Sequence, residues 1–251
     1  MEDRELLKKR FLELAKRSYN AGIYTFTDFL GLPELSAFEE IKSQLKGIKY
    51  TKFGGHPEAE RKMIRFGDPE ELLYEEEFPI TTVKAEPVSQ KFADKLSHRD
   101  ILGALMNLGI GRENFGDIAI IENVAYIFIK ESISEYVISS LSRARHTELL
   151  PSRVSDLPEA ALFKTEEKTV QISSERLDAV IAKVFNLSRD AAQSLFVREL
   201  VYASGRLITS VSYMPKANDI ISVRGHGRFI YLSYETTSRK GKLNARVALY
   251  I

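Results

Sequence analysis

The chain has 251 residues, a net charge of +1 and 44% hydrophobic residues, which suits one large globular domain or two to three small ones. It has no cysteine, which excludes a disulfide framework, a thiolate nucleophile and a cysteine-based zinc site. No apolar run approaches the roughly 18 residues of a membrane span. The near-neutral total hides a segregation, because residues 171–251 hold twelve Lys and Arg against six Asp and Glu. That net of +6 faces −5 over residues 1–170, as suits a polyanionic partner for the basic part, although a basic surface with no target fits the charge equally well.

Residues 2–20 read as an amphipathic helix, with Leu6, Leu7, Phe11, Leu14 and Ala15 at three- and four-residue spacing. The charged start, Met1-Glu2-Asp3-Arg4-Glu5, lacks the apolar segment of a secretory signal, so a cytoplasmic location is expected. Thr27-Asp28 and Pro33-Glu34 are start signals for short helices up to about Leu45. Ile48–Phe53 alternates like a short strand and stops at Gly54-Gly55. Residues 1–76 are therefore expected to form a small, mainly helical unit.

From residue 77 the rhythm changes. Strands are predicted at Ile80–Ala85, Asp117–Ile121, Val124–Lys130 and His146–Leu150. Helices are predicted at Ser97–Leu108, with Ser97 as N-cap and Gly109 as stop, and at Ser132–Arg143. The order strand-helix-strand-strand-helix-strand is that of a ferredoxin-like domain over 77–160, an arrangement that RNA-recognition modules share. Tyr126 and Phe128 fall on one face of the third strand. They either stack bases on an open sheet or pack beneath the N-terminal unit. The stretch from Pro151 to Lys168 reads as a connector.

In the last part, Leu177, Val180, Ile181 and Val184 line one face of a helix, and Ser188 can cap a second helix carrying Ala191, Ala192, Leu195 and Phe196. A β-like tail follows, with a turn at Ser204-Gly205 between Leu200–Ala203 and Arg206–Ile208. Another turn at Asn218-Asp219 leads into a strand from Ile220 towards Phe229. The fold class expected for the whole chain is α+β.

Arg176-Leu177-Asp178, Ser188-Arg189, Ala192, Val201 and Asp219-Ile220 match, in order and spacing, the RNA-binding domain first named for ribosomal small-subunit protein four. In that pattern, also called the alpha-L motif, a Gly precedes the hairpin where this chain has Glu199. Its Asn-Gly turn is here Ser204-Gly205, and its Gly before the Asp is Asn218. The resemblance implies an alpha-L domain over 171–251. Two short packed helices would then bring Arg176 and Arg189 together as a phosphate clamp beside helix N-termini. Reversing both charges is expected to abolish ribosome association and spare the fold.

Nearly the whole chain resembles the YlmH family of cytoplasmic bacterial RNA-binding proteins. The resemblance rests on Phe53-Gly54-Gly55-His56 with Glu60-Arg61 behind it, the run from His98 to Ile110, and Arg224-Gly225-His226-Gly227-Arg228-Phe229. It implies a ferredoxin-like middle domain, binding to the large ribosomal subunit with tRNA, and a role in quality control of stalled nascent chains.

The expected RNA-binding residues are Arg176, Asp178, Lys183, Ser188, Arg189, Arg198, Arg206, Arg224, His226, Arg228, His98 and Arg99. The Arg224–Phe229 cluster reads equally as a tight turn with incidental cations. No catalytic residue, metal or cofactor is proposed. His98-Arg99-Asp100 is similar to the kinase catalytic triplet but starts a helix and lacks the downstream partners, and the four histidines have no ligand spacing. Arg112-Glu113 and Asp117 read as a structural polar cluster rather than as chemistry. The expected partners are ribosomal RNA, tRNA and the large subunit, with no membrane and a monomer off the ribosome. The alternatives are an RNA-modifying enzyme with its site in residues 80–150, and an adaptor for cell division.

Overall fold

Phe11 and Ala15, one turn apart on α1 (Glu2–Ala21), are buried against Phe38 of α2 (Leu32–Ile41), whose first turn is held by Glu34 Oε2 accepting from the Gly31 N–H at 2.9 Å. Beneath them lies a three-stranded antiparallel sheet in the order β1-β3-β2 (Thr25–Phe26, Met63–Phe66, Tyr50–Phe53). The sequence shows no sign of β3 because all four of its residues are buried, which erases the two-residue alternation of a half-exposed strand. Thr27-Asp28 begins no helix. The Thr27 Oγ1 accepts from the Ile64 N–H at 2.9 Å and the Thr27 N–H donates to the Ile64 carbonyl at 2.9 Å, so the chain stays extended beside β3. A four-residue turn of helix, α3 (Pro69–Leu72), is capped by Asp68.

Next come β4 (Ile80–Pro87), α4 (His98–Asn107), β5 (Phe115–Ile121), β6 (Val124–Lys130), α5 (Ser134–Ser140), β7 (Arg143–Ala144) and β8 (Thr147–Val154). All strand pairs are antiparallel and the order is β5-β6-β4-β8-β7. The two middle strands of the sheet are thus the first and third in chain order, which is the split βαβ topology. Val83, Ala85, Ile127 and Ile129 face α4 and α5 and form the core with Ile101, Leu105 and Val137. α5 stops sooner than its sequence suggests, because Leu141 leaves the helical region at ψ 70° and Arg143 already begins β7.

On the opposite sheet face Phe128 is fully buried, its ring 4.6 Å from that of His56. Gly55, at φ 96°, passes so close that a Cβ there would lie 2.3 Å from Phe128. Phe128 therefore packs beneath the N-terminal elements, while Tyr126 is half-buried farther along the face.

The computed structural model describes residues 2–155, 157–158, 164–236 and 243–250. They fall into two compact units, 1–162 and 163–251, so the two regions that the sequence separates near residue 76 share one unit. Arg61, with the packing of Phe128, is a physical reason. Its guanidinium donates to the carbonyls of Phe29 (3.1 Å), Arg112 (2.9 Å) and Phe115 (3.2 Å). The Glu60 and Arg61 N–H groups donate to the Asp117 carboxylate at 2.7 and 3.1 Å. Burial lowers the pKa of Arg61 against the pull of Glu34 and Asp117, and burial with Arg61 nearby pushes Arg112 down to about 10. The Arg112–Asp117 cluster is thus a structural hinge-pin between two cores.

The second unit opens with β9 (Thr165–Ile172), whose first half falls in the stretch the sequence reads as a connector. Two helices follow, α6 (Leu177–Val184) and α7 (Arg189–Val197), and then β10 (Val201–Ala203), β11 (Arg206–Leu207), β12 (Asp219–Val223), β13 (Gly227–Thr236) and β14 (Leu243–Tyr250). The sheet runs β11-β10-β12-β13-β14-β9, and Leu177, Val180, Ile181, Leu195 and Phe196 pack on Val201, Ile221, Phe229 and Val247. The single strand expected from Ile220 to Phe229 is two strands joined by a tight turn at Arg224–His226.

Candidate nucleic-acid interface

Two short helices with small and branched faces pack closely, and their first turns meet around one carboxylate. Asp178 has no exposed surface. It accepts from the Arg176 Nε at 3.1 Å and a second guanidinium nitrogen at 3.0 Å, and from the Gln193 amide at 2.8 Å. The Arg189 Nε lies 3.5 Å away. Burial would raise the pKa of Asp178, but the Gln193 and Arg176 hydrogen bonds and the charges of Arg176 and Arg189 outweigh it, and the carboxyl titrates below its ordinary value. The two arginines keep 34% and 48% of their side-chain surface open. Each guanidinium is thus oriented from behind by a buried anion and offers its outer edge to solvent, a pre-organised fork for phosphate oxygens.

Asp178, expected among the RNA-contacting residues, has no surface with which to touch RNA and acts on the arginines instead. Reversing Arg176 and Arg189 together would place two carboxylates against that buried carboxylate, so the double reversal does not spare the fold as the sequence suggests. Ser188 caps α7, its Oγ accepting from the Ala191 N–H at 3.1 Å. Gln193, absent from the sequence expectations, is an anchor. Its signal was its place one turn after Arg189, on the face that meets α6. Tyr213 is a second omission. Its carbonyl accepts the first N–H of α6 at 2.8 Å and its hydroxyl donates to Asp219 at 3.0 Å, in a loop with no periodic pattern.

The remaining cations are spread. Lys183 is exposed in the last turn of α6, roughly 9 Å along the helix from its start. Arg198 is exposed at the C-terminal end of α7, and Arg206 on β11 beyond the Ser204-Gly205 turn. Arg224 and His226 occupy the β12–β13 turn, which the Arg224 N–H ties to the Leu200 carbonyl at 2.9 Å, two residues from Arg198. His226 lies over Phe185 with ring centroids 5.9 Å apart, and Arg228 stacks on Tyr250 at 4.0 Å. Lys183, Arg198, Arg224 and His226 therefore edge the carbonyl ends of the helices, Arg206 acts on Tyr213 beside the start of α6, and Arg176 and Arg189 mark the amide ends.

At two positions where the alpha-L pattern has glycine, this chain keeps the backbone without the residue, Glu199 at φ 55° and Asn218 at φ 69°. Ser204-Gly205, at φ 47° and 81°, makes the left-handed turn between β10 and β11 in place of Asn-Gly.

His98 and Arg99 lie in the first unit. Both are exposed at the start of α4, where the Ser97 N–H donates to the Asp100 carboxylate at 2.9 Å in a capping box. Desolvation and the charge of Arg112 lower the pKa of His98. Asp100 is committed to the cap, so the triplet assembles no acid–base site. Among the described residues no group of three or more His, Asp or Glu could hold a metal ion, and no helix is long and apolar enough to cross a membrane.

Comparison with known proteins adds the family. One family model, described as "YlmH, N-terminal", matches residues 2–71, and a second, "Putative RNA-binding domain in YlmH", matches residues 74–153. The chain belongs to the YlmH family. A relative of the YlmH chain, "Ribosome-associated protein quality control protein P2" of Bacillus subtilis (strain 168), is 31% identical over 223 residues, covering 86% of this chain and 83% of the relative. A solved structure, "Cell division protein ylmH from Streptococcus pneumoniae", is 22% identical with a TM-score of 0.48, covering 62% of this chain and 92% of that one. Both matching YlmH models end before the second unit, so the arginine pair lies outside the segment they describe.

Proposed function

We propose that this chain is a non-catalytic RNA-binding factor that docks on the large ribosomal subunit, gripping ribosomal RNA and tRNA, in the quality control of stalled nascent chains. The convergence of Arg176 and Arg189 on buried Asp178 carries the reading. Two guanidinium groups held from behind by a buried carboxylate and open in front suit phosphate recognition. The second unit is then an alpha-L domain, with Lys183, Ser188, Arg198, Arg206, Arg224, His226 and Arg228 extending the same contact. The first unit adds its own RNA contacts, His98 and Arg99 among them. Support comes from the quality-control title of the Bacillus subtilis relative and the RNA-binding description of the family model. The protein works in the cytoplasm as a monomer off the ribosome, without metal or cofactor.

The test is in-cell ultraviolet crosslinking with sequencing of the attached RNA, alongside gradient fractionation. Crosslinks concentrated on large-subunit ribosomal RNA and tRNA, with the protein in large-subunit fractions, are expected. Crosslinks to one unrelated RNA would favour an RNA-modifying enzyme, and none at all an adaptor, so either outcome overturns the reading.

A further inference from the structure

The open sheet face of the first unit is where aromatics of an RNA-recognition module would stack bases, but Phe128 is buried there under His56 and Gly55, and Lys84 is paired with Glu86 at 2.7 Å. A different surface of the same unit has the chemistry that the face lacks. The loop between β4 and α4 is clamped onto the β7–β8 turn. The Asp94 N–H donates to the Thr147 Oγ1 at 2.8 Å, and the Asn123 amide donates to the Asp94 carbonyl at 3.0 Å. The clamp brings Lys91, Lys95 and Arg99 from one side to Arg143, Arg145 and His146 on the other, all of them exposed. Among them Phe92 is 82% exposed, with the Lys91 ammonium 5.5 Å from its ring centre. Phe92 and His146 flank a cavity of about 200 Å³ that Val88 and Glu148 also line. That is below the roughly 300 to 1,000 Å³ of sites that enclose a small-molecule ligand.

We infer that this edge is a second RNA site, one that takes single-stranded RNA with an unstacked base on Phe92 and the flanking phosphates on Lys91, Lys95, Arg143 and Arg145. An exposed Phe ring on a surface rich in cations is the combination that single-strand binders use, since every base has a face to stack and every nucleotide a phosphate. The nearby acids do not cancel it. Asp94 is turned onto the clamp with the His146 N–H at 3.4 Å, and although Asp100, held by Ser97, lies 3.8 Å from Arg145 and Glu148 lies 3.5 Å from Arg143, the two arginines keep 53% and 60% of their side-chain surface open. The inference rests on the RNA-binding reading above and deepens it, by giving the first unit a site of its own.

The experiment titrates the full chain into fluorescein-labelled twelve-nucleotide oligouridine, followed by anisotropy at several salt concentrations. Phe92→Ala is expected to weaken binding about five- to a hundredfold, and Phe92→Tyr to restore it. Arg143→Glu with Arg145→Glu is expected to weaken binding and flatten the salt dependence by about 1.4 in log–log slope. A third variant, Arg198→Glu with Arg206→Glu, reads the second unit separately. If only that variant loses binding, the edge site is wrong and the proposed function stands. If none of the three loses it, both fail. If a photoreactive group at position 92 crosslinks in cells to protein rather than to nuclease-sensitive RNA, the edge is a protein-docking surface and the inference is overturned.

Discussion

The two units use arginine in opposite ways. In the first, Arg61 points inward and ties three carbonyls from separate elements, its charge depressed by burial. In the second, Arg176 and Arg189 turn outward and the buried partner is the anion, Asp178. The difference teaches that an arginine's role follows from which member of the pair is desolvated. A buried guanidinium acts as glue, whereas a buried carboxylate leaves its guanidinium partners oriented and available.

The comparison breaks most sharply where packing replaces it. Phe128→Ala should cost the first unit about 4 kcal/mol, because a buried ring that fills the space between His56 and the sheet leaves a cavity. Urea unfolding followed by far-ultraviolet circular dichroism reads this directly. Asp178→Ala should cost the second unit about 3 kcal/mol by leaving Arg176 and Gln193 without their acceptor. The carboxyl's folded pKa lies below its ordinary 3.8, so its stabilisation is complete above that value and is lost as pH falls through the folded pKa. Denaturation of the Asp178→Asn variant between pH 3 and 7 should therefore show less loss on acidification than the parent.

Arg189→Gln should weaken RNA binding about tenfold and reduce the salt slope by about 0.7 to 0.9, with little change in stability, since Arg176 and Gln193 still satisfy Asp178. Salt-dependent binding to large ribosomal subunits checks both numbers. Arg61→Gln, by contrast, should act on unfolding alone. The smallest effect runs the other way. Glu199→Gly should stabilise the second unit by about 0.5 kcal/mol, as relief at φ 55° exceeds the added flexibility of the unfolded chain. Thermal melts of the two forms measure it.

Much of this was legible in the sequence where local signals agreed. Ser97 and Ser188 cap their helices as expected, and the alternation in β6 correctly separated Ile127 from Phe128. The approach of Arg176 to Arg189 was expected from the alpha-L resemblance, with Ser188 as the cap of the second helix. What escaped were features defined by distant partners. β3 is buried on both sides, so it has no alternation to read. β9 is a charged edge strand, Thr-Glu-Glu-Lys-Thr-Val-Gln-Ile, that pairs on one side only and so resembles a linker. Gln193 and Tyr213 serve Asp178 and α6 through tertiary contacts that no window of sequence contains. The burial of Asp178 itself follows from packing, whereas its motif position suggested a contact residue.

The pairing of β9 with β14 has a consequence for how the protein is made. Thr165 to Ile172 find their partners only in Leu243 to Tyr250, more than seventy residues later. During synthesis β9 therefore waits, its backbone groups open, until almost the entire second unit has emerged, while the first unit can already fold behind it. A nascent copy of this chain acquires the completed sheet beneath its arginine pair only once residues 243–250 have followed.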